Sequence, residues 1–148
     1  MEELKRVRVV LVRDSEWQYG ERKLSSFSQV KDFAINELEL DRETQEVVIV
    51  IGLNIRNVIN GIKEVSRGTT NVSIFPVAEI AKFALLTNSD RVIVLHNHPS
   101  GELTFSKDDE RAARAIEEAL SLFGIPVIDF IIVGDGNAKS FVGGSDEE

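Results

Sequence analysis

The chain has 148 residues, 43% of them apolar and 28% charged, a length and balance that suit one self-supporting globular domain. It contains no cysteine, which excludes disulfides, thiolate metal sites and cysteine nucleophiles. Its 25 acidic and 17 basic residues give a formal charge of −8, which argues against tight nonspecific binding of nucleic acid, a contact made through lysine and arginine. The first residues, MEELKRVRVV, lack the basic flank, apolar stretch and cleavage site of a signal peptide, and no apolar run is long enough to cross a bilayer. A cytoplasmic, soluble protein is expected. Arg6, Arg8, Arg13, Arg22 and Lys23 lie near this end and are read as a solvated face.

Val7 to Val12 alternate and then run apolar, predicting a first strand, with a polar loop over Asp14 to Gly20. Ser25 or Ser26 can cap a helix with Phe27, Val30, Phe33, Ala34 and Leu38 inward. Val47 to Ile51 is wholly β-branched, the mark of a strand buried on both faces. A turn at Asn54 to Asn57 leads to a second strand, Val58 to Val65, so the pair predicts a hairpin. After polar residues Arg67 to Asn71, Pro76 opens a helix with Ile80, Phe83, Ala84 and Leu85 inward. Val92 to Leu95 is another apolar strand, ending in His96. Ala112, Ile116, Ala119, Leu120 and Phe123 give helical spacing over Ser106 to Phe123, and Gly124 stops that helix. Val127 to Val133 predicts a long strand and Ser140 to Val142 a short one, before the acidic tail Ser145 to Glu148. Strands alternating with helices imply an α/β fold, a three-layer α/β/α sandwich around a mixed sheet. No repeat or linker divides the chain, so residues 1–148 are expected to form one domain.

The chain's two histidines stand two residues apart in Leu95-His96-Asn97-His98-Pro99-Ser100-Gly101. In extended backbone such residues face the same side, so both imidazoles can converge on one point where a strand runs out into a loop. That pattern points to a metal. Without cysteine or a third histidine, the third protein ligand must be a carboxylate. Two histidines and one carboxylate leave a tetrahedral zinc one position for water, whose pKa falls to roughly 7. Non-haem iron uses the same set, so the ligands alone do not fix the metal. Glu102, Asp108, Asp109 and Glu110 all lie near enough to supply the carboxylate. Asp109 is slightly favoured, because a helix beginning at Ser106 carries it back towards the loop; Ser106 and Asp109 also read as a capping box.

His96-x-His98-Pro99 followed by Ser106-x-x-Asp109 resembles the JAMM (MPN-plus) metalloprotease signature, and the string HNHPSG resembles its RadC branch, bacterial proteins historically labelled as DNA repair proteins. Gly68-Thr69, Asn71, Ser73, Pro76 and Glu79-Ile80 match the pattern upstream, as do Gln45-Glu46 and Leu53-Asn54. Gly124-Ile125, Asp129, Ile131-Ile132 and Ser140 match it downstream, so the likeness runs over residues 25–142 and leaves 143–148 as a tail. The resemblance implies a cytidine-deaminase-like α/β/α fold with His96, His98 and Asp109 as ligands of one Zn2+ per chain. It implies that Ser106 helps stabilise the developing oxyanion and that Glu46 passes the water's proton to the leaving amine. Read from the residues alone, Glu64 rivals Glu46 for that proton. The chain departs from the family where a usual His-Pro-Arg-Glu stretch reads Phe75-Pro76-Val77-Ala78-Glu79 and an Asp-His pair reads Asp129-Phe130. The helix-hairpin-helix region common in RadC proteins has no counterpart in the sequence.

The resulting expectation is a metal-dependent hydrolase of amide bonds, a peptidase or isopeptidase acting on a peptide or protein. A DNA repair-associated role and a zinc-bearing binding module without catalysis are the alternatives.

Overall fold

A computed structural model describes residues 3–10, 12, 22–68 and 75–141. The expected loop at 14–20, Arg13, Thr69, Asn71, Ser73, Val142 and the acidic tail lie outside the described residues.

The fold is organised by a strand that is buried along its whole length, β1 (Val47–Leu53). Its β-branched side chains alternate between two apolar layers, so neither face tolerates water. β2 (Ile59–Arg67) pairs antiparallel on one side of it, as the hairpin reading predicts, and β3 (Arg91–Asn97) pairs antiparallel on the other. β4 (Val127–Gly134) lies parallel to β3, and β5 (Asn137–Ser140) closes the sheet in the order β2-β1-β3-β4-β5.

On one face, Val48, Val50, Val92, Val94 and Phe130 pack beneath α2 (Val77–Leu86) and α3 (Lys107–Ser121). On the other, Val47, Ile49, Ile51, Ile93, Leu95 and Ile131 pack against α1 (Phe27–Asp32), the π-turn Phe33–Glu37 that continues it, and the 3-10 turn Leu40–Arg42. This is the expected three-layer arrangement around a mixed sheet. Ser26 rather than Ser25 caps α1, its hydroxyl accepting from the Gln29 N–H, and Pro76 stands at the N-terminus of α2. Among the described residues, no helix is long and apolar enough to cross a membrane.

Three expectations are corrected. Val7, Val9, Val10 and Val12 form no strand and are 83%, 71%, 62% and 81% exposed, because alternation makes a strand only when the segment docks on a partner strand, and this one pairs with no described strand. Leu85 and Phe123 are exposed rather than inward: Leu85 lies off the Ile80–Phe83–Ala84 stripe, and Phe123 follows the end of α3 at Ser121. The last strand begins at Asn137, not Ser140, because Asp135 and Gly136 (φ 50° and 73°) make a two-residue turn straight out of β4.

The topology brings three chain ends together. β1 and β3 run antiparallel with Val48 opposite His96, so the start of β1 meets the end of β3. The connection from β3 to its parallel neighbour β4 passes through α3, whose N-terminus returns to the same sheet edge.

Candidate metal centre

His96 is the penultimate residue of β3 and His98 follows it into the loop, so both side chains leave the sheet on the face that carries α3. Their Nε2 atoms face the Asp109 carboxylate from two directions. His96 Nε2 lies 3.5 Å from Oδ1 and His98 Nε2 lies 3.1 Å from Oδ2. One donor atom from each residue falls within 4.8 Å of the others. A tetrahedral ion with bonds of about 2.0–2.1 Å spaces its ligand atoms about 3.3 Å apart, so the group fits a small dication of that geometry.

The far side of each imidazole explains how it is aimed. His98 Nδ1 donates to the Glu102 carbonyl oxygen at 2.8 Å, and His96 Nδ1 approaches the Val47 carbonyl oxygen at 3.4 Å. A proton held on Nδ1 leaves the Nε2 lone pair for a metal. Phe75 packs edge-on against the His96 ring at 5.1 Å between centroids, and the two imidazoles meet at 5.0 Å. The loop is seated by the His98 N–H bond to the Val133 carbonyl and the Gly101 N–H bond to the His98 carbonyl, both 2.9 Å. Gly101 (φ 86°) makes the turn, and a Cβ on Gly134 would stand 3.0 Å from the Gly101 Cα.

Asp109 is brought in by the start of α3. The Ser106 hydroxyl accepts from the Asp109 N–H at 3.0 Å, and Asp109 Oδ2 accepts from the Ser106 N–H at 2.9 Å. This reciprocal capping box fixes the carboxylate before any ion arrives. Among the neighbouring candidates, Asp108 pairs with Arg111 at 3.4 Å and Glu102 contributes its backbone carbonyl; neither they nor Glu110 belong to the converging group.

Burial pushes the Asp109 carboxyl up, but hydrogen bonds from His98 and Ser106 and the nearness of His96 outweigh it and leave Asp109 below the ordinary aspartate value. Burial holds His96 below the usual histidine value, against the pull of Asp109. The hydrogen bond to Asp109 raises His98 above it, with burial opposing.

Glu46 stands just before β1 and, two residues from Val48, faces the same layer as His96. Its Oε1 is 3.6 Å from His96 Nε2 with 30% of the side chain exposed, so it sits at the wet margin of the group. Burial raises its pKa, with His98 opposing and Asp109 adding to the rise. Glu64, its rival, is instead engaged by Arg67 at 2.7 Å. Ser106 is exposed at the rim, and its hydroxyl hydrogen is not used by the capping box.

The model of the RadC-like JAB domain matches residues 24–147. The chain belongs to the RadC-like JAB-domain family. The family includes proteins named UPF0758: one from Clostridium beijerinckii is 40% identical over 102 residues, 69% of this chain and 44% of that protein. One from Staphylococcus haemolyticus is 37% identical over 120 residues, 81% of this chain and 52% of that protein. The chain thus spans about half the length of these relatives. Phe75, which packs on His96, meets Phe130 at 5.7 Å between ring centroids. Sequence reasoning did not assign the carbonyls of Val47 and Glu102, which carry no side-chain signal, nor Asn97 and Gly134. For Gly134 a signal was available, a glycine closing an apolar strand; for Asn97 none was, since its partners lie about 50 residues away in sequence.

Proposed function

We propose that this RadC-like domain is a zinc-dependent hydrolase of amide bonds, a metallopeptidase or isopeptidase acting on a peptide or protein. His96, His98 and Asp109 would hold the ion. When bound, the zinc supplies a water acidified towards neutrality and a Lewis acid for the substrate carbonyl. Glu46 accepts the proton that the water gives up as its oxygen attacks the carbonyl carbon, and returns it to the departing amine as the C–N bond breaks. The Ser106 hydroxyl, anchored as the helix cap, donates its hydrogen towards the charge that grows on the carbonyl oxygen.

The observation that carries this reading is Glu46 Oε1, 3.6 Å from His96 Nε2. A module that only binds zinc needs no further carboxylate there, and burial has moved this one towards the range useful for proton transfer. The test is to load the chain with one equivalent of zinc and screen it against a peptide and isopeptide library. The expected result is cleavage that a chelator abolishes and added zinc restores. Cleavage indifferent to chelation, or failure to take up zinc at micromolar free concentration, would overturn the proposal.

A further inference from the structure

Between the two histidines lies a residue that faces the other way. Asn97 is 1% exposed, and its side chain lies across the start of β1. Asn97 Oδ1 accepts from the Val47 N–H at 2.6 Å, while Nδ2 donates to the carbonyls of Gln45 at 2.9 Å and Glu43 at 3.4 Å. These contacts fall on both sides of Glu46, whose own carbonyl accepts from the Gly68 N–H at 2.8 Å.

The paired register of β1 and β3 ends with Val48 opposite His96, although β3 itself runs on through Asn97 beside β4. The next rung towards Glu46 sets Val47 opposite Asn97, the last residue of β3, and there the Val47 N–H is met by the Asn97 side chain. A side-chain amide carries the same donor and acceptor as a peptide group, and Asn97 supplies that rung. An apolar residue would suit the surrounding layer of Val47, Ile131 and Val133 but would leave the Val47 N–H and the Gln45 carbonyl unpaired. The residue that separates the two histidines thus also fastens the segment opposite them.

The geometry points to Asn97 as the positioning residue for Glu46, holding residues 43–47 so that the Glu46 carboxylate stays beside the His96–His98–Asp109 group. This inference rests on Glu46 being the base of the proposed hydrolase, but the hold on the segment can be measured without turnover.

The experiment compares the zinc-loaded chain with its Asn97→Ala and Asn97→Asp variants. It measures zinc content, amide hydrogen exchange, the nuclear Overhauser effect between the His96 ring and the Glu46 side chain, and kinetics on a substrate from the library. Asn97→Ala is expected to keep one zinc per chain. The Val47 amide should exchange about ten-fold faster or more while those of Ile93 to Leu95 stay protected. The Glu46–His96 signal should weaken, and kcat should fall by about ten-fold or more with KM unchanged. Asn97→Asp keeps the acceptor for Val47 but not the donor, so it should lie between, and it serves if the alanine variant fails to fold. Unchanged Val47 exchange with an undiminished Glu46–His96 signal would overturn the inference. So would loss of zinc with a general rise in exchange, which would make Asn97 a support of the whole fold. Parent-like turnover in Glu46→Gln would instead refute the base assignment, leaving the exchange result to judge Asn97.

Discussion

Asp109 caps α3 through the Ser106 N–H with the same carboxylate that faces both imidazoles. The acid that holds the helix start is therefore already aimed when the domain folds. Glu46 differs: no hydrogen bond from a side chain of the centre fixes it, and it lies 3.6 Å from the nearest imidazole nitrogen. Glu46→Gln keeps the side chain's shape but cannot take a proton from water. That variant is expected to fold, bind zinc as the parent does, and lose amide hydrolysis by about two to four orders of magnitude in steady-state assays. Loss of zinc as well would make Glu46 a ligand and close the position meant for water.

The loop that carries His98 crosses the end of β4 where Gly134 has no side chain, and this crossing can be tested directly. Gly134→Ala would place a Cβ 3.0 Å from the Gly101 backbone, so the loop must shift. The variant is expected to lose about 1–3 kcal/mol by denaturant unfolding and to bind zinc more weakly than the parent by titration. Unchanged affinity would show that the loop finds another path. At this scale the sequence was most readable where both faces of a strand are covered: the β-branched run of β1 and the apolar β3 need no knowledge of neighbours. The convergence of His96 and His98 followed from strand alternation, whereas spacing left Asp109 only slightly ahead of Asp108 and Glu110 in the same first turn of α3, and the family resemblance singled it out. Other features depend on partners. Residues 7–10 and 12 have a strand pattern, but they pair with neither β2 nor β5, the two edges of the described sheet. Leu85 was misplaced against simple arithmetic, since five residues of helix carry it about 140° round from Ile80. The Asp135-Gly136 turn was present as an Asp-Gly hairpin signal and would have placed β5 correctly. The hold of Asn97 on residues 43–47 was hidden, because it depends on strands 50 residues apart in sequence lying side by side.

Across the molecule, the candidate metal centre lies at the ends of the interior strands β1 and β3, while the chain as a whole carries a charge of −8. That charge repels phosphate backbones at long range, and salt screens both repulsion and any local attraction. Association with duplex DNA is therefore expected to be weak and to vanish by moderate salt in a fluorescence anisotropy titration. Binding that persists at physiological salt with a preference for sequence or structure would favour a repair-associated role instead. The central claim concerns the ion itself, and zinc-to-chain stoichiometry by native mass spectrometry tests it most directly. The parent and Asp108→Ala should each carry one zinc, and Asp109→Ala should carry none, because two neutral imidazoles alone leave a dication poorly compensated. Stoichiometric zinc in Asp109→Ala, or its loss in Asp108→Ala, would contradict the account.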